Sequence, residues 1–162
     1  MKNLLLTLIA GFSISAYAGG QYSINYNTWD IEGTSVDGPG LALSGAGENM
    51  LYDVDFFRLS AGGTSITFNT ISLGYAFGDM SEGSFYGGLF SADANVGGVS
   101  RESDLELGWV KRGAAGNQMK VGIITDDGNT IVAEVQTDNG FDIGLLSNDG
   151  DTLFRVGYGW KF

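Results

Sequence analysis

From Phe154 to Phe162 the chain alternates without a break. Phe154, Val156, Tyr158, Trp160 and Phe162 are large and apolar, and Arg155, Gly157, Gly159 and Lys161 lie between them. A period of two is the signature of a strand with one greasy face and one polar or small face. The same alternation recurs upstream. Ile71, Leu73, Tyr75 and Phe77 are spaced by Ser72, Gly74 and Ala76, and Leu105, Leu107 and Trp109 by Glu106 and Gly108. Met119, Val121 and Ile123 alternate with Lys120 and Gly122; Ile131, Ala133 and Val135 with Val132 and Glu134; Phe141, Ile143 and Leu145 with Asp142 and Gly144. No helical period is found after residue 18. The pattern predicts ten strands, over 20–27, 38–46, 50–60, 66–78, 83–92, 103–112, 117–125, 129–137, 140–147 and 151–162. The weakest is 38–46, and 83–92 has apolar residues of both parities. If two segments were loops, the count would be eight.

The connectors read as hairpins. Asp127-Gly128, Asn139-Gly140 and Asp149-Gly150 each offer a residue tolerant of positive φ followed by glycine. Consecutive strands are then antiparallel neighbours, which gives an up-and-down meander. About ten residues per strand, tilted by about 40°, span about 25 Å, the height of the apolar band of a membrane-spanning barrel. The fold class expected is all-β: an up-and-down antiparallel transmembrane β-barrel of ten strands.

An even strand count puts both ends of the barrel sequence on one side. If that side is periplasmic, the connectors 47–49, 79–82, 113–116 and 138–139 are periplasmic, and 28–37, 61–65, 93–102, 126–128 and 148–150 face outward. The two longest, 28–37 and 93–102, both fall outside, the usual asymmetry of such barrels. Aromatic residues gather near both strand ends, including Tyr75, Phe85 and Trp160 at one and Tyr26, Trp29, Phe56, Phe68, Phe90 and Phe154 at the other. Two belts suit two membrane interfaces.

The start of the chain reads as an export signal. Lys2 is a positive n-region, Leu4 to Ala10 is an apolar stretch too short to span a bilayer, and Ala16-Tyr17-Ala18 is a small-x-small cleavage site. The expected division is a signal peptide over 1–18 and a barrel domain over 19–162. Net charge is −11, and loss of Lys2 would make it one unit more negative. So acidic a chain does not hold nucleic acid non-specifically. It has no Cys, which excludes disulfides and thiolate metal sites, and no His, the commonest general base. Its 27 Gly are too many for soluble strands but suit the crowded inside of a narrow barrel.

The nine-residue ending resembles the C-terminal signal of bacterial outer-membrane β-barrel proteins, in which a terminal Phe and alternating aromatics are read by the assembly machinery. In pattern, residues 19–162 resemble the small OmpA-like and OmpX-like barrels. The resemblance assigns Phe154, Val156, Tyr158, Trp160 and Phe162 to the assembly signal. It implies the bacterial outer membrane as location, its lipid as surroundings, and the barrel-assembly machinery and periplasmic chaperones as partners in transit. It also implies a monomer.

Candidate chemistry lies on the inward positions. Alternation turns Asp53, Asp55, Glu106, Lys120, Glu134, Asp142, Arg155 and Lys161 into the lumen. Charges there must be paired or hydrated. A paired network plugs and stiffens the barrel; a hydrated one lines a narrow pore. The acidic turns Asp126-Asp127-Gly128-Asn129 and Asn148-Asp149-Gly150-Asp151 lack calcium-loop spacing, and Asx-Gly is what the turns themselves require. The histidine-based chemistries of barrel proteases and lipid-modifying barrels have no histidine to use. No catalysis and no cofactor are expected. The function expected is a structural, envelope or surface-interaction role, with 28–37 and 93–102 as the recognition loops. The alternative is a narrow pore for ions or small solutes.

Overall fold

A computed structural model describes residues 19–31, 33–94, 101–126 and 128–162. Ten strands form: β1 (Gly19–Ile31), β2 (Thr34–Ala46), β3 (Met50–Ala61), β4 (Thr64–Ala76), β5 (Ser84–Ala94), β6 (Arg101–Arg112), β7 (Gln118–Ile124), β8 (Thr130–Gln136), β9 (Phe141–Asn148) and β10 (Asp151–Lys161). Each pairs antiparallel with the next, and β1 pairs with β10 from Gln21↔Lys161 to Asp30↔Thr152. The sheet is a closed up-and-down barrel with no free lateral edge, and the count is ten rather than eight. The proposed export segment, 1–18, lies outside the described residues.

The weakest predicted strand is one of the longest. β2 turns Val36, Gly38, Gly40, Ala42, Ser44 and Ala46 inward. Those residues are small because the lumen leaves no room: a Cβ on Gly40 would lie 2.3 Å from Asn25 Oδ1 and 2.8 Å from Phe57 Cβ. Small inward residues erase the hydrophobic alternation by which a strand is recognised. In β5 the ambiguous parity also settles. Tyr86 is buried inside, and Phe85 and Leu89 face out.

The expected outer connector 28–37 is not a loop. Thr28 to Ile31 continue β1, Thr34 to Asp37 begin β2, and they pair as far as Ile31↔Thr34. The turn is tight because Gly33 has φ +81° and donates its N–H to Asp30 Oδ1 at 3.0 Å. The connector expected over 93–102 is also shorter, since Asp93 and Arg101 still pair; residues 95–100 lie outside the described residues. Asymmetry of loop length therefore gives no sidedness. Among the described residues the longest connector, 77–83, lies at the end that carries Gly19 and Phe162, here called the near end.

Facing follows the alternation. Outward positions carry exposed Ile24, Leu41, Leu73, Leu107, Val121 and Val156, and every strand contributes at least one apolar side chain of this kind. Towards the far end some outward residues turn polar, among them Thr28, Asp37, Arg58, Asn69, Ser103 and Ser147. The near end carries an outward aromatic girdle in which Tyr75 meets Phe77, and Tyr158 meets both Phe141 and Trp160. The second belt is thinner than expected. Tyr26, Phe56 and Phe154 face out, but Trp29 and Phe68 pack inside against Phe57 and Phe90 lines the lumen.

Candidate functional site

The lumen is filled in layers. At the far end Trp29, Ile31, Val36, Phe57, Leu59 and Phe68 form an apolar cap, with Trp29 and Phe68 edge to face at 4.7 Å and Phe57 stacked on Phe68 at 5.2 Å. On one side of the near end Ala46, Leu51, Ala76, Met80, Tyr86 and Val110 form a second apolar cluster. Met80 enters from the 77–83 turn, where its carbonyl accepts the Arg112 N–H at 2.7 Å.

Between the two lies a layer of charge, with two cations at its centre. Arg155 on β10 crosses the lumen to Asp55 on β3 at 2.5 Å, and reaches Asp142 on β9 at 3.2 Å and Glu134 on β8 at 3.4 Å. Lys120 on β7 reaches Glu134 at 3.0 Å, Glu106 on β6 at 3.2 Å and Asp53 on β3 at 3.9 Å. Glu134 is thus shared, and β3 is tied across the barrel to the wall of β6 to β10. Neutral donors complete the shell. Tyr86 donates its hydroxyl to Glu106 at 2.6 Å, Ser23 donates to Asp142 at 2.9 Å, and Ser72 donates to Glu106. Glu106 and Asp142 are as good as inaccessible, at 1% and 0% exposure. Hydrogen bonds on every side let charges persist at such depth.

Seven of the eight expected lumen residues therefore come together: Asp53, Asp55, Glu106, Lys120, Glu134, Asp142 and Arg155. Lys161 does not. It stands exposed at the near rim, where its ammonium donates to the Ala115 carbonyl at 3.0 Å. Its parity is inward and it still pairs with Gln21, but it lines the open near end of the barrel rather than the charged layer. Asp53 is the loosest member, with one carboxylate oxygen buried and without a partner.

Sequence reasoning missed Tyr86. Its ring lies where β4, β6 and β7 present Gly74, Gly108 and Gly122. A Cβ at Gly108 would come within 2.8 Å of the ring, and one at Gly122 within 2.6 Å of the hydroxyl. The three glycines leave the volume that the tyrosine fills, and its hydroxyl then meets Glu106. Register would have shown this, because Tyr86 pairs with Gly108 and Gly108 with Gly122.

The free volume among these charges is about 30 Å³. That holds one or two waters, since a water's share of liquid volume is about 30 Å³. In the acidic turns, Asp126 accepts from the Gly128 and Thr130 N–H groups, and Asn129 has φ +58°, so the carboxylate is spent on shaping the turn. Asp127 lies outside the described residues. Phe154, Val156, Tyr158, Trp160 and Phe162 are all exposed on the outward face, from 42% to 58%.

No family model matches the sequence, and no curated protein matches it. Among solved structures the chain is similar to Neisserial surface protein A, at 15% identity over 89% of this chain and 95% of that one, TM-score 0.39. It is similar to the N-terminal β-barrel domain of Pseudomonas aeruginosa OprF, at 10% identity over 90% and 99%, TM-score 0.36. It is similar to Ail, the attachment invasion locus protein of Yersinia pestis, at 12% identity over 90% and 99%, TM-score 0.35.

Proposed function

We propose that this chain is an integral outer-membrane β-barrel with a structural, envelope-maintaining role, non-catalytic and sealed to solutes. The supporting observation is the inversion of polarity across one closed sheet. Outward positions are apolar on all ten strands, whereas the inward middle is ionic and hydrogen-bonded. A soluble barrel needs the reverse. Exposed apolar surface on this scale is a liability in water and the required surface in lipid. Closure disposes of the edge strands, whose backbone groups would go unpaired in hydrocarbon. On this reading outer-membrane lipid surrounds a monomer, and the outward aromatic alternation of β10 is what the assembly machinery recognises.

The lumen favours the structural role over the pore. Free volume of about 30 Å³ among the charges, with an apolar cluster beyond them, argues against a continuous path for a hydrated ion. Two measurements test this. Folded protein run on a gel with and without boiling should shift in mobility, as a detergent-resistant barrel does. Reconstituted into planar bilayers, it should stay silent. Steady conductance would replace the structural reading with the pore. A water-soluble protein without a heat shift would remove the membrane reading altogether.

A further inference from the structure

A second cavity, larger than the space among the charges, lies outside the charged layer. It is a vestibule of about 250 Å³ at the near end, on the side opposite the Met80 cluster. Gln21, Arg112, Gln118, Gln136 and Lys161 line it, over a floor that includes Gly19 and Gly116. We propose that this vestibule is a binding site for a compact organic anion, the carboxylate end of a short peptide-like molecule. The proposal rests on the membrane-barrel reading above.

Charge is the first argument. The chain carries 19 acidic residues and 8 basic ones, yet no acidic side chain lines this cavity and two cations do, with the main-chain carboxylate of Phe162 the one negative group beside them. Neither cation is neutralised. Arg112 donates to the carbonyls of Ala46 and, at 3.3 Å, Gly19, and Lys161 donates to the carbonyl of Ala115. These are neutral acceptors that orient the cations without cancelling them. The lumen cations are different, since Lys120 and Arg155 each touch three carboxylates. A concave site of net positive charge in an acidic protein concentrates anions.

The neutral lining is the second argument. Three glutamines converge there, each less than a tenth exposed. Gln21 donates to the Gly140 carbonyl at 3.2 Å, but its amide oxygen is buried and without a partner. A buried acceptor left unpaired is costly, and a ligand N–H would satisfy it once the side chain turns that oxygen toward the vestibule, since it has no accessible surface as it stands. Amide donors and acceptors beside two cations match a carboxylate with a peptide bond next to it. Size sets the limit. Sites for drug-sized ligands begin at about 300 Å³, so this one admits the end of a molecule and not the whole of a large one.

The test uses the full barrel, refolded in detergent micelles, with side-chain amide resonances of the glutamines as readout. N-acetyl-Ala-Ala with a free carboxylate should shift the Gln21, Gln118 and Gln136 signals saturably in the millimolar range. Its C-terminal amide should bind at least tenfold more weakly. Lys161→Gln should weaken binding severalfold, and Arg112→Lys, which keeps the charge, should weaken it less than Arg112→Gln. Absence of saturable shifts overturns the proposal, as does equal binding of the amidated peptide. Inorganic phosphate binding as tightly as the peptide overturns the peptide-end assignment. The heat-shift gel is run on the same sample. Binding without a heat shift would sink the membrane reading alone, and a heat shift without binding would sink this proposal alone.

Discussion

Replacing Arg155 with methionine removes the cation that ties β10 across the lumen to β3. Three carboxylates then lose their partner: Asp55 at 2.5 Å, Asp142 at 3.2 Å and Glu134 at 3.4 Å. Lys120 cannot take over, because it is already held by Glu106 and Glu134. The side chain is 7% exposed, so water cannot compensate. Breaking a buried ion pair from one side costs about 3–5 kcal/mol, chiefly through the charge left behind. Arg155→Met should fall in that range, measured as a shift in urea midpoint for barrels folded into lipid vesicles. Removing the stranded acid as well should restore part of the loss. Asp55→Leu in the Arg155→Met background should therefore recover about 1–3 kcal/mol relative to additivity. Asp53 supplies the internal control. It lies 3.9 Å from Lys120 and has an unpartnered oxygen, so Asp53→Asn should cost less than about 1 kcal/mol. A cost below about 1 kcal/mol for Arg155→Met, or equal costs for Arg155→Met and Asp53→Asn, would refute the claim that the network braces the barrel.

Arginine at Leu107 or Val156, both about half exposed on the outward face, should destabilise the vesicle-folded barrel by about 2–4 kcal/mol, and a harmless substitution would show that these side chains do not face mid-bilayer lipid. Gly122→Val crowds the Tyr86 hydroxyl, which a bare Cβ would meet at 2.6 Å; it should cost about 1–3 kcal/mol by overpacking, checked by the same titration. Trp29→Ala removes a partly buried ring packed against the far cap's core and should cost at the low end of about 3–5 kcal/mol, with bilayer conductance still silent because the ionic layer remains. In the 77–83 turn, the Ser81 N–H bond to Asp79 at 2.8 Å holds that carboxyl below its usual range. A lowered folded-state value makes the contribution complete above the ordinary carboxylate pKa and lost as pH falls through the lowered one; protection of the Ser81 amide from hydrogen exchange should follow that course, and Asp79→Asn should flatten it.

Legibility in the sequence followed whether a residue's own chemistry announces its facing. Strands whose outward residues are large and inward residues small or charged, such as Ile71 to Phe77 and Phe154 to Phe162, are visible from alternation alone. β2 is not, because its inward residues had to be small. Lumen charges were legible by parity, and parity also turned Lys161 inward without showing that β10 had reached the rim. Trp29 was misread for the opposite reason. Aromatics near a strand end suggest a membrane belt, but Trp29 shares the parity of Gln21, Ser23, Asn25 and Asn27, and that parity put it inside. Loop length misled because β1 to β4 extend through residues expected to be connectors. Their added residues extend hairpins rather than connectors, and the inward ones are apolar enough to pack as a cap.

The cap and the ionic layer are two barriers in series, made from opposite materials. An apolar plug excludes ions by leaving them unsolvated. An ionic plug excludes them by already occupying the space with paired charges. Their roles differ, because the cap binds β1 to β4 to one another, whereas the charges bind β3 to the opposite wall. On the proposed structural reading, loss of the cap should leave a shortened, still sealed barrel, whereas loss of Arg155 should loosen the cross-section itself. The near end has no third plug across its whole width. Met80 and its neighbours fill one side, and the other stays open as the vestibule of Arg112 and Lys161. A barrel selected only for closure would have filled that space with one more apolar side chain.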